Sequence, residues 1–247
     1  MRFEKIWNLF CTLCFIVFVG IIINSLLGDI LFRIKYSFPK ISGISNELIN
    51  TEHAPKQLNI KENKYIKTYG EKNIYALKLQ AEYSISGLVV SRNTNFWFRD
   101  VMRSDFDDIC LMDVGIVWGE LAESPKKLHK HWKFSSKKTL GSGRQLSWRS
   151  KDSNHDNMPW SLSYVNSHIS HTHLIPANPN VMGGLLSIKK NDIVNLRGYL
   201  VDIYTAKGET VALTSLSRYD KDTTSRGYGA CEDMYVKQVQ IGNKIYR

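Results

Sequence analysis

Hydrophobic and polar positions form different patterns along the chain, and each pattern predicts a different element. Residues 6–27 read IWNLFCTLCFIVFVGIIINSLL and include no charged side chain. A stretch of this length matches the roughly 20 apolar residues that a helix needs to cross a bilayer. The sequence therefore predicts one N-terminal transmembrane helix, a polar stalk over 28–73 and a β-rich domain over 74–247. A cleaved signal peptide is the alternative, although the stretch exceeds the usual apolar region of about 7–15 residues.

Alternation of apolar and polar residues dominates the chain after the polar segment. In residues 82–91 (EYSISGLVVS) and 193–204 (IVNLRGYLVDIY), apolar side chains recur at alternate positions, which is typical of half-buried strands. Gly87 interrupts the first run and indicates a bulge or a bend. A short helix is predicted near residues 96–103, where apolar side chains have helical spacing. The fold class predicted by these patterns is mainly β with a short helix.

Several motifs carry a resemblance to known proteins. The pairing of YSISGLVVS with the later KKNDIVNLRGYLVDI resembles small closed β-barrels of the OB or SH3-like kind. WGE at Trp118, HLIPAN at His173 and GACEDMYV at Gly229 are similar to motifs of uncharacterised bacterial envelope proteins with one N-terminal anchor. The resemblance covers residues 82–236 and implies a small β-barrel-like (OB/SH3-like) domain after one transmembrane helix. It implies no activity, because such folds host many functions.

Positive charge is concentrated in one segment of the chain. The formal net charge is +10 at pH 7, and residues 126–151 contain nine basic side chains and no Asp or Glu. Such a segment predicts a basic patch that attracts anionic surfaces or polyanions. The alternative is a solvated hairpin whose lysines only keep the chain soluble. The patch comprises Lys126, Lys127, Lys130, Lys133, Lys137, Lys138, Arg144, Arg149 and Lys151.

A histidine-rich stretch provides the candidate metal ligands. His171 and His173 are separated by one residue, so in a strand both imidazoles lie on the same face. Two imidazoles placed in this way could hold zinc or another borderline metal. Asp152, Asp156 or Glu232 could supply a third ligand. The competing interpretation is an ordered loop without a cofactor, in which the histidines bond to backbone groups.

The cysteines of the predicted domain indicate a structural pairing. Cys110 and Cys231 are the only cysteines after the N-terminal hydrophobic stretch, and an exported domain favours a disulfide between them. Two buried thiols are the alternative.

Five aspartates form an acidic set, which we interpret as serving turns and helix caps. They are Asp100, Asp105, Asp107, Asp108 and Asp113.

These patterns favour a binding protein over an enzyme. The leading hypothesis is a non-enzymatic, single-pass protein of the inner (cell) membrane, whose exported domain binds an envelope partner protein or an anionic surface. A metal-dependent hydrolase that uses His171 and His173 is the first alternative. A nucleic-acid binder that uses residues 126–151 is the second, and it is less favoured because the segment lacks a recognised nucleic-acid-binding motif.

Overall fold

Twelve strands and six helices are present in the part of the chain described by the computed structural model. It describes residues 2–36, 38–70, 73–94, 104–139, 143–152, 158–217 and 231–247. The helices are α1 (Arg2–Tyr36), α2 (Asp105–Ile109), α3 (Glu120–Glu123), α4 (Pro125–His131), α5 (Leu162–Ser167) and α6 (Pro179–Ser187). The strands are β1 (Gly43–Ile44), β2 (Lys56–Asn59), β3 (Tyr65–Tyr69), β4 (Ile74–Thr94), β5 (Met112–Val117), β6 (Trp132–Thr139), β7 (Gly143–Ser150), β8 (Ile169–Pro176), β9 (Ile193–Thr205), β10 (Thr210–Ala212), β11 (Glu232–Ile241) and β12 (Lys244–Tyr246).

The N-terminal hydrophobic stretch lies within helix α1. None of the helices in the described residues combines the length and the apolar character needed to span a membrane. The predictions of a transmembrane helix over 6–27 and of a single-pass protein in the inner membrane are therefore wrong. The physical reason is that a crossing needs about 20 consecutive apolar residues, and the described helical residues do not supply such a segment.

Ten of the strands form one sheet, in which β4 is the central element. The path of the sheet is β1-β12-β11-β8-β5-β4-β9-β10, with β2 and β3 also paired to β4 and an additional pairing between β11 and β9. Along one edge β4 pairs with β9, and along the other it pairs with β3, β2 and β5 in turn. Strands β8 and β11 are parallel.

The prediction of a mainly β fold is confirmed. The prediction of a small β-barrel-like (OB/SH3-like) domain is wrong. The reason is the length of β4, which has 21 residues and therefore accommodates more neighbours than the short strands of a small barrel. Residues 28–73, predicted to be a stalk, contribute β1, β2 and β3 to the sheet. The helix predicted near residues 96–103 lies outside the described residues.

Alternating side chains of β4 enter two hydrophobic clusters on opposite faces of the sheet. Val89 joins the main cluster, which is covered by α6, whereas Leu88 and Val90 join a second cluster. The second cluster is completed by the hairpin of β6 and β7 through the buried Trp132. Because the hairpin covers this face, it lies over β5 and β8, where the candidate site is found.

Candidate metal centre

The register of three strands brings the candidate site together. Strand β8 carries His171 and His173 on one face, as the sequence predicts. Asp113 of β5 and Asp233 of β11 are both the register partners of His173. Cys231 immediately precedes β11, so the parallel pairing with β8 places it beside His171. Strand pairing alone therefore gathers residues separated by more than a hundred positions along the chain.

Three possible ligand atoms lie close to one another in this arrangement. His171, His173 and Cys231 each offer one donor atom, and these atoms all lie within 4.8 Å of one another. One of these contacts joins His171 Nδ1 to Cys231 Sγ at 3.1 Å. The two imidazole rings meet edge to face, with centroids 4.7 Å apart. The group could therefore hold a metal ion.

A carboxylate fixes the orientation of one of the two imidazoles. Nδ1 of His173 donates to Asp113 Oδ1 at 2.7 Å, which leaves Nε2 as the ring nitrogen that can bind a metal. Histidine ligands of metals usually donate their other N–H to a carboxylate or carbonyl in this way, because the bond sets the tautomer and the ring orientation. The Asp113–His173 pair therefore has the arrangement expected beside a metal ion.

Arg144 links the hairpin to this carboxylate. Its Nη1 lies 2.8 Å from Asp113 Oδ1 and its Nε lies 3.8 Å from Asp107 Oδ1. The guanidinium also lies over the Phe106 ring, 4.7 Å from its centroid, and the same ring meets His173 edge to face. Arg144 is 5% exposed and Asp113 is fully buried, so the ion pair is largely removed from water.

Burial and neighbouring charges change the pKa values of the site. Burial, followed by the nearby His173, lowers the pKa of His171 to about 3, so this imidazole is neutral at physiological pH. Burial opposes ionisation of Asp113, but His173 and Arg144 together outweigh it and lower the pKa of this carboxyl group. Burial raises the pKa of Asp233 to about 6. Asp113 is thus held as a carboxylate, and His171 is held as a neutral imidazole.

Two kinds of chemistry use a thiol next to an imidazole, namely metal binding and nucleophilic catalysis. A catalytic base needs a pKa near the working pH, and the pKa of about 3 for His171 is far below it. A metal ligand, by contrast, must be a neutral imidazole. The site therefore suits a metal ion better than a cysteine nucleophile activated by histidine.

The predicted disulfide between Cys110 and Cys231 is wrong. Neither cysteine is disulfide-bonded. Cys110 is fully buried in a hydrophobic cluster with Tyr75 and Ile203, where burial raises the pKa of its thiol. Cys231 instead directs its sulfur towards His171. The two thiols thus have separate surroundings, one apolar and one beside an imidazole.

Only some of the residues predicted to form the basic patch lie on the described surface. Arg144 does not belong to the surface, because it points inward to Asp113. Lys137 and Lys138 lie on β6, and their side chains are outside the described part of the structure. The exposed members are Lys126, Lys127, Lys130, Lys133, Arg149 and Lys151.

The third ligand predicted for the two histidines is replaced by another residue. Asp152 accepts a hydrogen bond from His131 Nδ1 at 2.6 Å, Glu232 accepts one from Ser170 at 2.8 Å, and Asp156 lies outside the described residues. Cys231 takes the place beside the histidines. The signal that could have found it is its position directly before a strand with an alternating pattern, which leaves it on the strand face opposite to Glu232.

No protein-family model, curated protein or solved structure matches the chain. No family is therefore established, and the resemblance of residues 82–236 to bacterial envelope proteins stays a prediction. The function is inferred from the geometry of the site.

Proposed function

We propose that the protein binds a divalent metal ion, preferentially zinc, through His171, His173 and Cys231. The observation that carries the proposal is the approach of two imidazole nitrogens and one sulfur to within 4.8 Å of one another. Nitrogen and thiolate donors are those that zinc prefers. A tetrahedral zinc ion, with bonds of about 2.0–2.3 Å, separates its ligand atoms by about 3.3–3.7 Å. Small side-chain rotations are therefore enough to close the site around an ion.

The surroundings of the three ligands support this proposal. The Asp113–His173 hydrogen bond leaves Nε2 of His173 as the ring nitrogen that can bind a metal and makes it more basic. The negative charges of Asp107, Asp113 and a Cys231 thiolate would balance those of Arg144 and a divalent ion. In the described part of the structure, Asp113 Oδ2 is buried without a hydrogen-bond partner.

Three protein ligands leave one position of a tetrahedral ion available for water or for a substrate. His171 and His173 are 2% and 5% exposed, whereas Cys231 is only partly buried. An exchangeable fourth ligand would therefore approach from the side of Cys231. A metal-dependent reaction at this position is compatible with the proposal, and metal binding is the part of it that geometry supports.

Cobalt(II) provides the spectroscopic test, because a thiolate bound to this ion gives an intense near-ultraviolet charge-transfer band. We expect the full chain to develop this band on addition of Co²⁺ and the Cys231→Ser variant to lose it, since Cys231 supplies the only sulfur of the three-residue group. The matched control is the double variant Cys11→Ser, Cys14→Ser, which removes the two exposed thiols of α1. Retention of the band in Cys231→Ser, or its loss in the control alone, would rule out the proposed ligand set.

A further inference from the structure

A groove crosses the sheet at a place separate from the metal centre. It has a volume of about 550 Å³ and lies over β2, β4, β9 and β11. A second cavity of about 610 Å³ adjoins it and shares Lys56, Ser84 and Arg197 with it. Because Tyr83 and Ile85 point into the main hydrophobic cluster, the alternating residues of β4 face the groove. Glu82 and Ser84 thus lie on the floor of the groove.

Strand register arranges the floor in two rows. Lys56, Ser84 and Arg197 are consecutive partners across β2, β4 and β9. In the neighbouring row, Glu82 of β4 is the partner of Tyr199 of β9. Residues two positions apart in a strand are separated by about 7 Å, so a cationic row and a row with a carboxylate and a phenol lie side by side at about that distance.

Arg197 is held in position by a buried amide. Its Nε donates to Asn195 Oδ1 at 2.9 Å. Asn195 is 5% exposed, and its Nδ2 donates to Ser84 Oγ at 3.1 Å and to Ser86 Oγ at 2.8 Å. The Nε bond anchors the guanidinium on the floor of the groove, while its two terminal NH₂ groups lie outside these bonds. A guanidinium held in this way is suited to bind two oxygens of a phosphate.

Further cations surround Arg197. Lys56, Lys237 and Arg247 also line the groove and are exposed. Arg247 is oriented by a bond from its Nε to Gln238 Oε1 at 2.8 Å, and the Lys237 ammonium lies 5.3 Å from the centre of the Tyr199 ring. Within the described residues none of these four cations takes part in an ion pair. The groove therefore has positive charge available for an anionic ligand.

We propose that this groove binds a phosphate ester of nucleotide size. The phosphate groups contact Arg197 and Lys56, and the sugar or the base lies over the neighbouring row, where Glu82 accepts a hydrogen bond from a hydroxyl group and Tyr199 contacts the ring. The separation of the rows matches the distance between the phosphate and the sugar–base part of such a molecule. The volume lies within the range of about 300–1,000 Å³ that is common for small-molecule sites.

The experiment measures binding of ADP to the full chain by titration calorimetry, with adenosine and inorganic pyrophosphate as partial ligands. We expect ADP to bind more tightly than either partial ligand, because it engages both rows. The Arg197→Ala variant should bind ADP about tenfold more weakly or worse, since a charged, bidentate contact is lost. Lys133→Ala, which removes an exposed cation of the β6–β7 hairpin, is the matched control and should bind ADP as the unaltered chain does.

Three results would overturn the proposal. They are the absence of ADP binding, equal weakening in Arg197→Ala and Lys133→Ala, and binding of pyrophosphate as tight as that of ADP. Circular dichroism of Arg197→Ala checks that the exposed substitution leaves the fold intact. None of the three metal-binding residues His171, His173 and Cys231 lines the groove, so loss of ADP binding and loss of metal binding are separate outcomes.

Discussion

Replacement of Arg144 by methionine is expected to lower the free energy of unfolding by about 3–5 kcal/mol. The side chain lies 2.8 Å from Asp113 Oδ1 and is 5% exposed. Methionine preserves much of the apolar stem but removes the guanidinium, which leaves the fully buried Asp113 carboxylate without its arginine partner. Removal of one member of a buried ion pair is costly because the remaining charge cannot be solvated. Urea unfolding followed by circular dichroism measures the difference.

Arg149→Met is the control for this prediction. Arg149 lies on the same strand, β7, and is exposed, so its replacement should change the unfolding free energy by no more than about 0.5 kcal/mol. Equal stabilities of the Arg144→Met and Arg149→Met variants would mean that Arg144 does not stabilise the site. The contact of the hairpin with β5 through Arg144 and Asp113 would then be incorrect.

Trp132→Ala is expected to destabilise the protein by a similar amount, about 3–5 kcal/mol, as is usual for a large buried aromatic side chain. Trp132 begins β6 and is only 2% exposed. It packs in the cluster that contains Leu88 and Val90 of β4 and Val165 of α5. Truncation leaves a cavity between the hairpin and the sheet, which the neighbouring strands cannot collapse to fill. The midpoint of urea unfolding should therefore fall markedly.

The adjacent Lys133 supplies the matched control, because it is on the same strand and faces solvent. Lys133→Ala should leave the unfolding midpoint nearly unchanged. If Trp132→Ala were equally harmless, the tryptophan would belong to an exposed surface and would be available for stacking on a ligand. That result would support the interpretation of residues 126–151 as a basic binding face that includes Trp132.

Local patterns in the sequence were sufficient for the elements that depend on neighbouring residues. The alternation over residues 193–204 appears as β9, and the hairpin within the basic segment appears as β6 and β7. The His171 and His173 pair shares one strand face for the same reason, since side chains two positions apart in a strand point the same way. Each of these conclusions needs only the two-residue repeat of side-chain direction along a strand.

Features that depend on long-range register could not be read in this way. The pattern after Cys231 indicates the strand face on which it lies, but it does not indicate the parallel pairing of β8 and β11 that places Cys231 beside His171. Arg144 looks like one more member of a basic patch, because its partner Asp113 lies on a different strand. Asp113 itself was grouped with turn and cap residues, although it is fully buried in β5. The sequence therefore identified the candidate residues but did not show which of them contact one another.

The most direct measurement of the central claim is the zinc content of the full chain after incubation with zinc and removal of unbound ion. The protein used is the Cys11→Ser, Cys14→Ser variant, so that the exposed thiols of α1 do not contribute. We predict about one zinc ion per chain and its loss when His171→Ala and His173→Ala are introduced together, with circular dichroism confirming that the sheet is retained. Absence of zinc from the starting variant, or full retention of zinc after both histidines are replaced, would contradict the assignment of a metal centre at His171, His173 and Cys231.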